Sequence, residues 1–167
     1  MKKVVSIVLA LVLALALVAI AEAVPSKTTA DMTTFTTEAE GLVIAAVETE
    51  EADAELEALA SKTLDEYFGE EAIAAAKEIT GNDSLEICEF MSIIVNNYKE
   101  EMGDVKANVK FATAFDKDAK VAAMVGLGGE WTALEGTALE DGSVDFVFPG
   151  DLLAGIQETG AFFAALR

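Results

Sequence analysis

The stretch Trp131–Phe148, WTALEGTALEDGSVDFVF, decides how this chain folds. Its second half alternates: Val144, Phe146 and Phe148 point one way, and Ser143, Asp145 and Val147 the other, as successive side chains of a strand must. Residues 131–139 form a second strand ahead of it. Between the two lies Asp141-Gly142, a pair that tolerates the positive φ a tight hairpin needs. The acids at Glu140 and Asp141 could also suggest a cation loop, but turn chemistry accounts for them without a metal. The stretch therefore predicts an antiparallel hairpin, and it carries the chain's single tryptophan, Trp131.

The same period continues on both sides. Val105–Phe115 places Val105, Ala107, Val109, Phe111, Thr113 and Phe115 on one face and Lys106, Asn108 and Lys110 on the other. Lysines aimed outward protect a sheet from edge-to-edge aggregation, and on an acidic protein they could also meet an anionic wall polymer. Lys120–Leu127, KVAAMVGL, is apolar on both faces, as a central strand would be. Leu85–Val95 reads as a long strand, and Gly41–Glu48 as a short buried strand or the start of a helix, with Leu42, Val43, Ile44 and Val47 favouring a strand. Beyond the hairpin, Pro149-Gly150-Asp151 breaks the sheet and caps a helix over 152–157. Ala161–Leu166, AFFAAL, closes as a final strand.

Between the early strands the period lengthens to that of a helix. Asp53–Phe68 aligns Leu56, Leu59, Ala60, Leu64, Tyr67 and Phe68 in one stripe. Asp53 is its expected cap and Gly69 its stop. Glu70–Thr80 is a second, alanine-rich helix joined to the first at that glycine, with a sharp bend. Many close-spaced strands predict an antiparallel two-layer β-sandwich, and the pair of N-terminal helices packs against it, giving an α+β fold. The expected single domain is 38–167, with a helical part at 53–80 and a sandwich part at 85–166.

The N-terminus reads as an address. Lys2 and Lys3 precede an apolar run from Val4 to Ile20, and Ala21-Glu22-Ala23 offers small residues where a signal peptidase cuts. The run is short for a retained anchor, since a span needs about 20 residues. Residues 1–23 are thus expected to be a cleaved signal peptide, leaving no membrane segment. Val24–Thr37 holds six threonines and reads as a tether.

Removing Lys2, Lys3 and Glu22 leaves 9 basic and 29 acidic residues, a net charge of −20. Such a chain repels nucleic acid, whose binding rests on neutralising phosphates. The acid is uneven: Glu38–Glu101 carries 18 acids against 3 lysines, while Met102–Arg167 carries 10 against 5 bases. With no histidine, the usual nucleophile–base pairs and most zinc or copper sites are missing. One cysteine, Cys88, allows no internal disulfide. No catalytic residue and no cofactor is assigned. The weak calcium candidates are Asp116 and Asp118 in DKDAK, although Lys117 and Lys120 oppose a cation there and the sequence departs from the calcium loop of about twelve residues. Trp131 and Tyr98 are the candidate ligand-stacking residues, Tyr98 because it follows Asn96-Asn97 in a polar connection.

The stretches ELEALASKTLDEYFGEEAIAAAKEI, VKANVKFATAFDKDAKVAAMVGL, EWTALEGTALEDGSVDFVFP and AFFAAL, set behind a signal peptide, resemble small exported proteins of anaerobic Gram-positive bacteria that carry an immunoglobulin-like β module. The resemblance covers most of residues 53–166 and implies an immunoglobulin-like sandwich and a location outside the cytoplasm. It implies no activity and no site residues. The antibody Cys…Trp…Cys spacing is missing, so the likeness is one of architecture. The expected protein is a secreted or surface-located monomer: a non-catalytic accessory or interaction module for an unknown protein partner. The alternative is a module binding a glycan or cell-wall polymer through Trp131 and Tyr98, and a third reading is a small hydrolase.

Overall fold

A computed structural model describes Pro25 and residues 27–167; the signal-peptide reading of 1–23 lies outside the described residues. Eight strands form one sheet: β1 (Thr34–Thr37), β2 (Val43–Val47), β3 (Ile87–Asn96), β4 (Val105–Lys110), β5 (Lys120–Leu127), β6 (Glu130–Ala138), β7 (Val144–Phe148) and β8 (Ala161–Leu166). Their order is β1-β4-β7-β6-β5-β8-β3-β2, antiparallel throughout. Helices α1 (Glu50–Leu59), α2 (Leu64–Phe68) and α3 (Glu70–Thr80) connect β2 to β3, and α4 (Gly150–Thr159) connects β7 to β8. The fold is α+β.

The sheet is rolled. Phe35 on β1 and Phe163 on β8 stand five strands apart in the row, which on a flat sheet is about 24 Å. Their ring centroids are 5.6 Å apart. One interior cluster accordingly takes residues from all the strands, among them Ile44, Met91, Val109, Val125, Ala138, Phe146 and Phe163, with Phe35 packed against it. Leu152, Leu153 and Ile156 of α4 plug one end of this nearly closed barrel. A second cluster lies outside it, where α1–α3 cover Phe90, Ala122, Met124 and Ala164 on the outer face of β3, β5 and β8. β5 is thus buried on both faces, as its apolar run requires.

The expected two-layer immunoglobulin-like arrangement gives way to this single rolled sheet. β6 pairs with β5 along its length and with β7 at its end, so the row never splits. Gly136 sits where β6 meets both partners, opposite Val121 and Phe146. A Cβ there would lie 2.3 Å from the Phe146 ring, so the glycine lets that ring turn inward against the strand.

The helices are also not an N-terminal pair. They follow β1 and β2 and number three. Thr49, not Asp53, caps α1, its hydroxyl accepting from the Ala52 N–H at 3.1 Å. The expected Asp53–Phe68 helix breaks after Leu59, because Thr63 and Glu66 form a reciprocal capping box that starts α2. Gly69, at φ 90°, makes the bend into α3.

The threonine-rich tether is instead part of the domain. Thr28, Thr29 and Thr33 are buried. The Thr29 hydroxyl donates to the Phe90 carbonyl, and its backbone N–H reaches the same carbonyl at 2.9 Å. Thr34–Thr37 then adds an edge strand to β4, which suits β-branched residues.

The opening hairpin is β6 and β7. Its loop holds Gly142 at φ 81°, while Asp141 accepts from the Ser143 N–H and hydroxyl at 3.1 and 2.6 Å. On the outer face Asn108 donates to Asp145 at 2.9 Å and Lys106 pairs with Asp145 at 2.6 Å. This polar face thus belongs to the domain's own ion pairing.

Two expected outcomes follow for stability. Gly142→Val forces a β-branched residue to positive φ and places its Cβ 2.9 Å from that of Ala114, so the urea midpoint should fall by the equivalent of about 2 kcal/mol or more. An unchanged midpoint would count against the turn. For Asp145, burial works against the carboxylate, but the bonds from Lys106 and Asn108 outweigh it and hold the carboxyl below its ordinary range. That contribution is complete above the ordinary value of about 3.9 and disappears as pH falls through the lowered one. The Tm gap between the wild type and Asp145→Asn should therefore narrow between about pH 5 and about pH 2; a constant gap contradicts the pairing.

Candidate functional site

The outer face of the rolled sheet is only half covered. The rung Phe90–Ala164–Met124–Ala133, registered across β3, β8, β5 and β6, lies against the second cluster beneath the helices. The next outward rung is Val47–Ser92–Phe162–Gly126–Trp131, in which each residue is the direct partner of the next across β2, β3, β8, β5 and β6. This rung is the floor of an open cleft of about 570 Å³, a volume within the range of small-ligand sites. Glu51 and Glu55 of α1 line one side and Gly128-Gly129 of the β5–β6 turn another.

One floor residue has no side chain. Gly126 stands between Phe162 and Trp131, and the six-membered ring of Trp131 lies over it: a Cβ at Gly126 would be 2.8 Å from that ring. Trp131 is held from the side by α2. Its ring centroid is 4.7 Å from Phe68, edge to face, and 5.6 Å from Tyr67. Contacts of this kind add about 0.5–1.5 kcal/mol each beyond buried area, so the indole is fixed while remaining only partly buried.

The polar groups are placed as firmly. The Tyr67 hydroxyl donates to Glu55 Oε2 at 2.7 Å. Burial, and then the Glu55 carboxylate beside it, pushes the phenol well above its usual pKa, so it stays a donor and orients Glu55. Thr49 and Ser92 share one hydroxyl bond at 2.8 Å. Two hydroxyls carry two protons, and one mutual bond uses one. The other has no acceptor among the described residues and is available to a ligand.

Sequence reasoning singled out Trp131, which the structure places in the cleft. It paired Trp131 with Tyr98, which the structure does not. Tyr98 is buried at the plugged end of the barrel. Its N–H donates to Gln157 at 2.7 Å and its hydroxyl to the Gly103 carbonyl at 3.2 Å. The polar neighbours that suggested exposure surround a ring that fastens α4. Asp116 and Asp118 lie in an exposed turn, Asp118 at φ 65°, and neither joins a group of three metal-ligating side chains among the described residues.

Gly126, Phe162, Ser92, Glu51 and Glu55 were not anticipated. A glycine inside an apolar strand was the one available signal, since it often marks close approach of another group. Elsewhere, burial pushes the Cys88 thiol up to about 11, opposed by Arg167 and reinforced by Glu86 and Glu89. Glu89 is fully buried: one oxygen accepts from the Thr113 N–H at 2.7 Å and the other has no partner among the described residues.

No family model, curated protein or solved structure matches this chain. The cleft is therefore read from its own geometry.

Gly126→Ala provides a direct check on that geometry. The added methyl should lift the indole off the floor and shift its fluorescence emission, which has a single source. An emission spectrum and near-UV circular dichroism identical to the wild type would show that the ring does not rest on Gly126.

Proposed function

We propose that this chain is an exported, non-catalytic binding module that lays a glycan or other cell-wall polymer in the Trp131 cleft. The observation that carries this reading is the five-strand rung with Trp131 over Gly126 at one end and Phe162 beside it. A fixed, partly buried indole above a glycine floor leaves part of its surface at the cleft, where a sugar ring can stack. The Glu51 and Glu55 carboxylates and the spare hydroxyl proton of the Thr49–Ser92 pair supply the few polar contacts that orient a ligand. The cleft is open, which suits a chain that enters and leaves at its ends.

Three observations support a binding role over a catalytic one. The chain has no histidine. Glu55 is tied to Tyr67. The Cys88 thiol, pushed up to about 11, is a poor thiolate near neutral pH. A net charge of −19 and a cleft lining free of Lys and Arg argue against nucleic acid as the ligand. Support for export comes from the Lys2-Lys3 start, the apolar run and the Ala21-Glu22-Ala23 site. Among the described residues no helix is long and apolar enough to cross a membrane.

Because Trp131 is the sole tryptophan, fluorescence excited selectively at tryptophan reads this cleft. A glycan array probed with the full chain, followed by fluorescence titration of each hit, should return at least one wall-type saccharide that quenches or shifts Trp131. Gly126→Ala should abolish the response. An array without hits, together with unchanged fluorescence in soluble wall fragments, would sink the binding reading. A cell-fraction blot that finds the chain only in the cytosol would sink the export reading.

A further inference from the structure

We infer that the occupant of the Trp131 cleft is a saccharide bearing protonated amines, an amino-sugar polymer with free amino groups, and not its neutral acetylated form. This rests on the binding reading above and narrows it to one ligand class.

The first ground is charge. Glu51 and Glu55 are four residues apart on α1, so they project on the same side of the helix, and both line the cleft. The lining contains no Lys or Arg. The ion pairs among the described residues use Glu86, Glu135 and Asp145, so neither cleft carboxylate is neutralised by a side-chain cation. A neutral sugar can donate hydroxyl hydrogen bonds to these two acids but leaves their negative charge uncompensated. A protonated amine supplies the missing charge, and charge-assisted hydrogen bonds are the stronger kind.

The second ground is Trp131. An aromatic face attracts cations, best of all when the ring is an indole. Here the ring is fixed by Phe68, Tyr67 and Gly126, so no order has to be imposed on binding. The same face stacks on the apolar side of a sugar ring. Amine and sugar thus use one platform.

The third ground excludes a bare metal ion. Calcium takes about six to eight oxygens. No group of three His, Cys, Asp or Glu side chains is placed to hold a metal among the described residues. Trp131 and Phe162, the large side chains of the cleft floor, offer no oxygen ligand. An organic cation has an apolar body for those rings. The spare proton of the Thr49–Ser92 pair then meets a sugar hydroxyl or ring oxygen, which an aliphatic polyamine lacks.

The test uses a matched pair: a glucosamine hexamer and the fully N-acetylated hexamer, each titrated into the full chain by calorimetry and by Trp131 fluorescence in mildly acidic buffer, where the sugar amines are protonated and the carboxylates still ionised. The free-amine hexamer should bind at least about ten-fold more tightly. Glu51→Gln and Glu55→Gln should each remove most of that preference. The double variant Glu100→Gln with Glu101→Gln, on exposed acids outside the cleft, should keep it. Equal or tighter binding of the acetylated hexamer overturns the amine inference and leaves the glycan reading standing. Loss of preference in the Glu100/Glu101 variant equal to that in the cleft variants also overturns it, because the attraction would then be diffuse polyelectrolyte binding. Failure of both hexamers overturns the amine inference, and the wider array then decides the binding reading separately.

Discussion

Phe163 is the constraint on which the rest of the structure depends. From the sixth strand of the row it meets Phe35, Phe111, Phe146 and Phe148 at centroid distances of 5.6, 6.1, 6.0 and 6.4 Å. Those rings belong to β1, to the residue just after β4 and to β7, on the far side of the sheet. They can reach one hub only if the sheet curls until its two ends approach. An open sheet would leave five aromatic rings on one exposed face, each forgoing roughly the 1.5–3 kcal/mol that burial of a large side chain brings. Curling lets one face serve as its own core, and α4 closes the end that the strands cannot.

The cleft is a consequence of that curl. Once the inner face has packed against itself, only the outer face can receive α1–α3. Those helices are short: they cover the rung through Phe90 and Met124 fully and reach the neighbouring rung only at Trp131 and Phe162, so the cleft opens along it. Gly126 leaves the gap, and Trp131 leans into it from the adjacent strand instead of standing in water. α2 contributes little to the core beyond Phe68, yet it holds the indole, and through Tyr67 it orients Glu55. The site is thus built on rigid elements around a gap in helical cover.

How much of this the sequence disclosed depended on whether the information was local. KVAAMVGL and AFFAAL were legible as β5 and β8 with the bounds the structure gives, because burial on both faces leaves a continuous apolar run. The β6–β7 hairpin was legible from Gly142 and the alternation after it. The Thr34–Thr37 strand was not, since its polar composition takes on meaning only beside β4, some seventy positions away. The break at Leu59 was hidden because the apolar stripe continues through it, while the capping box at Thr63 lies in plain sequence view. A sandwich and a rolled sheet share the same alternation, so strand pattern alone could not separate them; the difference lies in β6 serving two partners through Gly136. The cleft rung was beyond reach for the same reason. Val47, Ser92 and Phe162 come from segments far apart from one another and from the hairpin that holds Gly126 and Trp131, and only the register brings the four segments together.

Electrostatics connects the site to the rest of the molecule. An excess of acid keeps the chain soluble but weakens its compact state through self-repulsion. Most of that acid lies in the helical half, the half that borders the cleft. A low-dielectric floor of Phe162, Trp131 and Val47 beneath such a surface concentrates the negative field. There it raises the local concentration of cations and slows the approach of anions. Glu51 and Glu55 sit where that field is gathered, while the three ion pairs that discharge other acids, at Glu86, Glu135 and Asp145, lie away from it. Pairing thus offsets three of the acids among the described residues, and the cleft pair Glu51 and Glu55 is not among them.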